Sequence, residues 1–405
     1  MKSADLSIKN LRIATPLGQE PSMGDVKLFE GCLSVSNGKI VSVGECLPAK
    51  EEMDGKGMFA LPGFVDAHTH IPFVGERSGE FILRAEGKSY EELLKNGGGI
   101  YSTVKVLRKA SVEQLTKSGT KHAAWFLKAG VTSFECKSGY GLNEENEIKQ
   151  LMAAKKMANE IPQDIVTTFL GAHAVPPQGE KAYLRELIET LKRVKEEGLA
   201  EFVDVFCDEG AFSVEFSTEL LRRAKELGFK IRAHAEELSS NGFASVASEL
   251  GAVSVDHLLK IKEEEMSILA KNGTVAVLMP TTSFFLKTDY APARKLIEHG
   301  VFVALGSDFN PGSSTFYSPI FTIHLAVNHL GMSVEEAITA HTLNSAYVLG
   351  LSDEVGTIEV GKKADFVLLD IPTLNYIPYM PTNEMIKAVF KDGRKVFENK
   401  DNLSW

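Results

Sequence analysis

Two histidines one residue apart, His68 and His70, close the stretch LPGFVDAHTH. Alternate side chains of an extended strand share one face, so both imidazoles can grip one metal ion. Two nitrogens leave a coordination sphere unfilled. A third histidine, His234 in IRAHAEEL, and a carboxylate, Asp308 in ALGSDFNPGS, would complete three nitrogens and one oxygen. That set suits zinc or iron(II) with a position left for water. Such a metal lowers the pKa of its water toward neutrality and polarises a carbonyl. The chemistry this predicts is hydrolysis.

Those four residues are far apart in the chain, so a scaffold must gather them. From 61 to 351, apolar strand-like runs alternate with amphipathic helical stretches. The strand-like runs are 64–70, 131–136, 165–173, 202–207, 230–234, 253–258, 274–279 and 301–308. Eight such βα units predict an α/β fold, a (β/α)8 TIM barrel. A doubly wound open sheet is the alternative, and it normally carries a glycine-rich phosphate loop after its first strand. Here His68 and His70 stand at that place, and the glycine cluster NGGGI lacks the GxGxxG spacing. Residues 1–60 and 352–405 read differently, as short strands with hairpin turns at Asn37-Gly38 and Asp392-Gly393. Each end alone has too few strands for a stable sheet. Pairing them predicts one small composite β-sandwich domain beside the barrel.

The C-terminal rim of a barrel's strands carries its chemistry. Polar residues collect at those ends: Lys137 and Tyr140 in KSGYGL, His173 in GAHAVP, Glu236 and Glu237 in HAEEL, His257 in DHL, Asn310 two residues after Asp308. The seventh run ends in LMPTTSFF, without an ionisable group. Glu236 and Glu237 are adjacent and should face opposite sides, with Glu236 structural. His122, His299, His324, His329 and His341 sit in helical stretches and are given no functional role.

The chain has 405 residues, 44% hydrophobic and 24% charged, enough for one large domain plus a small one. A net charge of -10 argues against nucleic acid or an anionic membrane as the main partner. The N-terminus MKSADLSIKNLRIA lacks the apolar core of a signal peptide, and no apolar run is long enough to span a bilayer. A cytoplasmic protein is expected. Cys32, Cys46, Cys136 and Cys207 show no CxxC spacing and are expected to be reduced and buried.

The ordered motifs GFVDAHTHIPFVGERSGEF, GGGIYSTV, ECKSGYGL, GAHAVP, HAEEL, DHL and GSDFNPGS resemble the amidohydrolase superfamily over nearly the whole chain. Within it they resemble the family that opens the imidazolone ring in histidine degradation. The resemblance implies hydrolysis of the cyclic amide C–N bond of 4-imidazolone-5-propanoate, giving N-formimidoyl-L-glutamate. It implies one divalent or trivalent metal ion per chain, zinc or iron, on His68, His70, His234 and Asp308. Glu237 and His257 would position and activate the water, and Asp308 would shuttle a proton. Arg77, Tyr90 and Tyr140 match positions used around the ligand, with Glu237 beside it, His173 toward the ring, and Asn310 available to the ring nitrogen or carbonyl. An arginine suits the propanoate tail because its planar fork binds carboxylates bidentately. The family also implies a homodimer acting on a small molecule.

Three alternatives bear on this reading. Some superfamily members bridge two metals with a carbamylated lysine, but Lys137 follows the second strand-like run and not the fourth, so one metal is expected. An aminohydrolase releasing ammonia from a nucleobase would use much the same metal set, whereas Arg77 and Tyr140 argue for an acidic tail. A noncatalytic scaffold predicts a broken ligand set, and this set is whole.

Overall fold

The computed structural model describes residues 3–88 and 98–400. Tyr90 lies outside the described residues. The N-terminal strands are β1 (Ala4–Thr15), β2 (Lys27–Ser36), β3 (Lys39–Gly44), β4 (Ala49–Asp54) and β5 (Phe59–Pro62). The central strands are β6 (Phe64–Asp66), β7 (Val131–Lys137), β8 (Asp164–Ala172), β9 (Phe202–Cys207), β10 (Lys230–Ala235), β11 (Ser254–His257), β12 (Val275–Leu278) and β13 (Val303–Leu305). The C-terminal strands are β14 (Phe366–Leu369), β15 (Ile386–Lys391) and β16 (Arg394–Glu398).

The eight central strands form one all-parallel sheet in chain order, β6 to β13. Two backbone hydrogen bonds bring its ends together, Asp308 N to His68 O at 2.9 Å and His70 N to Phe309 O at 3.1 Å. The sheet is a near-closed barrel, as the alternating pattern predicts. β6 and β13 are shorter than the apolar runs 64–70 and 301–308. Their last residues leave the ladder and turn their side chains into the rim. The buried Asp66 carboxylate ties these two ends, accepting from His68 N at 3.3 Å and Ser307 N at 3.0 Å.

The two chain ends share a second, mixed sheet in the order β16-β15-β14-β5-β1-β2-β3, with β4 on β1. The junction is β14 antiparallel to β5, Leu368 opposite Ala60. Its own core contains Ile8, Ile13, Leu33, Phe366 and Phe390. The cysteine expectation fails in part here. Cys32 and Cys46 form a disulfide, with Cα atoms 5.1 Å apart. The hairpin sets Cys32 opposite Gly44, so the residue two further on reaches it. That closeness comes from strand register, which a spacing motif does not report. Cys136 and Cys207 remain free and buried, as expected.

The helices lie between successive strands. The helix Glu144–Ala158 starts on Asn143, whose side chain accepts from Asn146 N. Three acidic residues in its first turn complement the helix dipole. One of them, Glu147, turns inward and accepts from Gly139 N, Gly141 N and Leu142 N at 2.7–2.8 Å. That bracket shapes the loop carrying Tyr140. The barrel interior is apolar at one level, with Val65, Ala67, Val166, Val275, Val277 and Ala304. Toward the rim it becomes charged.

Candidate metal centre

His68, His70, His234, His257 and Asp308 converge at the rim, each no more than 4% exposed. Two overlapping sets have ligand atoms within 4.8 Å of one another: His68, His70 and Asp308, and His68, His234 and His257. His68 belongs to both. Its ring centroid is 4.6 Å from that of His234 and 5.3 Å from that of His70. Asp308 Oδ1 lies 3.2 Å from His70 Nε2 and 3.7 Å from His68 Nε2.

The polar atoms point to a cation. His68 Nδ1 is 2.7 Å from Asp256, which leaves its buried Nε2 without a hydrogen-bond partner. His234 Nδ1 lies 2.9 Å from Asp204 Oδ2, and its Nε2 is likewise buried and unpartnered. A carboxylate on one ring nitrogen and a metal on the other is the usual way a ligand histidine is oriented. Burial holds His68 well below its ordinary pKa, with the Lys137 ammonium adding to the effect. Burial also takes His234 down to about 4, against the opposing pull of Asp204. Both rings are therefore neutral at ordinary pH, the form a metal ligand needs. Burial pushes the Asp308 carboxyl up, but the His70 contact and the nearby rings outweigh it and hold the group well below the usual carboxylate range. The residues present fit a single divalent metal.

Beneath the ligands lies a fully buried ion network. Lys137 Nζ is 2.6 Å from Asp204 and 3.0 Å from Glu135. Arg232 bonds Glu135, Asp256 at 2.7 Å and Ser254 at 2.8 Å. Three carboxylates thus face two cations, and the excess negative charge sits directly behind His68 and His234. Lys137 is thus ion-paired to two strand carboxylates. Glu135, Asp204 and Arg232 had no place in the sequence reading. Their signal was present: FECK, FVDVFC and KIRAH each set a charge inside an apolar strand.

Asp308 sits at φ 49°, in the left-handed region, and four contacts hold it. Thr282 Oγ1 donates to Oδ2 at 2.7 Å, and Asn310 Nδ2 donates to its backbone oxygen at 2.6 Å and to Oδ1 at 3.0 Å. Ser313 Oγ is 3.4 Å away. Thr282 comes from the strand end that looked empty of chemistry. The Asn310 amide is committed at both ends, its Oδ1 accepting from Gly312 N and Ser313 N at 2.8 Å. Its hydrogen bonds brace Asp308.

Glu237 Oε1 lies 3.5 Å from His257 Nδ1. Burial raises the Glu237 carboxyl above its ordinary pKa, and Asp308 and Asp208 add to that. Glu236 turns away and accepts from Gly242 N, a structural task as expected. Tyr140 and His173 reach the same centre, the His173 ring stacked 4.9 Å from His70 and the Tyr140 ring 5.7 Å from it. His173 Nδ1 donates to Gly139 O at 3.0 Å, which leaves Nε2 as an acceptor. Gly139 has φ +116°, and a Cβ there would come 2.8 Å from that nitrogen, so no other residue fits. Arg77 gives Nε and Nη2 to Glu80, at 3.0 and 2.7 Å. A Cβ on Gly312 would strike Arg77 Nη1, which places the guanidinium against the loop that follows Asp308.

A rim of strand-borne histidines and one aspartate on a near-closed barrel, flanked by a sheet from both termini, defines a class of metal-dependent hydrolases. Residues 59–396 match the Amidohydrolase family, and the chain belongs to it. A solved structure of guanine deaminase from E. coli shares the fold, with a TM-score of 0.75 at 18% identity over 98% of this chain and all of that one. Nearer in sequence are two imidazolonepropionases, and the chain belongs with them. That of Kosmotoga olearia is 47% identical over 97% of this chain and 98% of its own. That of Caldanaerobacter subterraneus subsp. tengcongensis is 46% identical over 96% and 98%.

Proposed function

We propose that the chain hydrolyses 4-imidazolone-5-propanoate to N-formimidoyl-L-glutamate, using one metal ion held by His68, His70, His234 and Asp308. The observation that carries the reading is the pair of buried, unpartnered Nε2 atoms on His68 and His234, each with a carboxylate beside its Nδ1. The donor set fits zinc or iron(II). A metal there supplies a polarised carbonyl and a water acidic enough to attack near neutrality.

The protein residues do the rest. Glu237, deprotonated against its raised pKa, takes a proton from the attacking water, and His257 orients the same water and stabilises the developing oxyanion. Oxygen bonds to the ring carbonyl carbon, and the ring C–N bond breaks. Asp308 takes the water's second proton from the oxygen now on that carbon and passes it to the departing nitrogen, leaving a carboxylate and an N–H. His173 Nε2 accepts from a ring N–H, and Tyr140 closes the other side. Arg77, steadied by Glu80, holds the propanoate. Turnover by the purified, metal-loaded protein, followed as loss of the ring's absorbance, tests this. An intact, loaded protein that leaves the ring closed would sink the substrate.

Arg77→Ala should raise KM about 10–100-fold and change kcat far less, because a charge-assisted carboxylate contact is worth about 1.5–3 kcal/mol. An unchanged KM would remove Arg77 from the ligand. We also hold the protein to be a homodimer in the cytoplasm. Among the described residues no helix is long and apolar enough to cross a membrane. An aromatic ridge of Phe81, Phe284, Phe285, Phe316 and Phe321 runs along the surface, with Phe81 and Phe284 more than 40% exposed. Such a ridge suits a partner subunit. Light scattering should give twice the chain mass, and Phe284→Glu should shift it toward the monomer.

A further inference from the structure

Asp208 follows β9, is 4% exposed, and is not itself among the residues assigned above to the metal or the substrate. Its carboxylate collects an unusual number of donors. Oδ2 accepts from Glu237 N at 2.8 Å and Leu238 N at 2.9 Å. Oδ1 accepts from Ser239 N at 2.9 Å, Ser239 Oγ at 2.6 Å and Glu209 N at 2.8 Å. Three consecutive backbone N–H groups of the chain leaving β10 thus converge on one side chain from the neighbouring strand.

That segment needs holding. β10 ends at Ala235, and Glu236 follows at φ 55°, a left-handed turn that carries the chain out of the barrel. The next residue is Glu237, whose carboxylate must meet His257. A non-glycine residue in this conformation persists only where its surroundings impose it. Hydrogen bonds to a charged acceptor are about twice as strong as neutral ones, and here they fall on the backbone of Glu237 itself. A loop staple of ordinary stability value could sit anywhere along the loop. This one grips the reacting residue and its two successors.

We propose that Asp208 is a positioning residue for catalysis, fixing the backbone of Glu237 so that its carboxylate reaches the attacking water. The inference rests on the reading of Glu237 given above. Its scale follows from geometry, since displacing a catalytic group by about 1 Å can cost about 100-fold in rate.

The test is a mutant cycle on the metal-loaded enzyme. Asp208→Asn keeps the shape but turns an amide NH2 toward backbone N–H groups. It should lower kcat about 30–100-fold with KM held within about threefold, and with metal content and melting temperature near wild type. Glu237→Gln should lower kcat about 100–10,000-fold. The double variant should be no slower than Glu237→Gln by more than about twofold, because residues acting as one unit are not additive. Ser239→Ala, which removes one donor and leaves the carboxylate, should cost a few-fold alone and nothing on the Glu237→Gln background. It decides the matter if Asp208→Asn does not fold. A folded, loaded Asp208→Asn enzyme at wild-type rate, with Glu237→Gln inactive, would overturn this proposal alone. So would a double variant losing the full product of both single effects. A wild-type rate in Glu237→Gln would overturn the reading of Glu237 and this proposal with it.

Discussion

Asp308→Asn is expected to lower hydrolysis by more than about 1,000-fold and to lower metal content with it. The substitution is chosen for its backbone. Asp308 has φ 49°, and asparagine tolerates the left-handed region where alanine is strained. The amide fills the same volume and can still pair with Thr282 Oγ1, which lies 2.7 Å from Oδ2. Fold and loop bracing are therefore retained, and what disappears is charge. Asp308 supplies the anionic ligand of the proposed set and the acceptor of the relayed proton. Losing an outer partner of a metal ligand costs about 10–100-fold, so losing the ligand itself should cost more. Metal content by mass spectrometry and turnover on the same sample decide it. A variant within tenfold of wild type, still loaded, would show that the carboxylate charge is unneeded.

Lys137→Met should destabilise the protein by about 3–5 kcal/mol, a large share of the roughly 5–15 kcal/mol that holds a domain folded. The ammonium is fully buried and contacts Glu135 and Asp204 within 3.0 Å, with Asp256 at 3.7 Å. Removing it leaves Asp204 without its nearest cation and Glu135 dependent on Arg232. The cost comes from the carboxylates left behind, since unpaired buried charges have no water to solvate them. The same substitution should weaken metal retention about 10–100-fold, because Asp204 and Asp256 orient His234 and His68. Urea unfolding of the metal-free protein reads the first effect and chelator competition reads the second. A stability loss under about 1 kcal/mol would mean that water or rearrangement satisfies the network.

The barrel was legible because eight apolar runs alternate with helical stretches, and the composite sheet because each end lacked partners. The convergence of the rim histidines was legible because strand ends fall at the rim and His68-Thr-His70 keeps the strand period. Glu135, Asp204 and Arg232 were missed for a physical reason. A single charge in an apolar strand marks burial of a pair, but its partner lies on another strand whose register the sequence does not state. The bracing of Asp308 by Thr282 and Asn310 was not legible for a similar reason. Hydroxyl and amide side chains bind ligand or brace a neighbour with equal ease, and their three-dimensional partners decide which. The Cys32–Cys46 bridge depended on hairpin register.

The seam between β6 and β13 is stitched by the backbone of His68, His70, Asp308 and Phe309. The residues that close the barrel are thus largely the residues that would hold the metal. During synthesis the ribosome must deliver the last barrel strand before either event can occur. Until then the early histidines wait on an open edge, with Asp308 not yet made. The terminal sheet comes later still, because β5 pairs with β14. Loading of an ion on these residues would thereby be coupled to the final stages of assembly, and a chain cut short of that seam carries the beginning of the candidate site without its end.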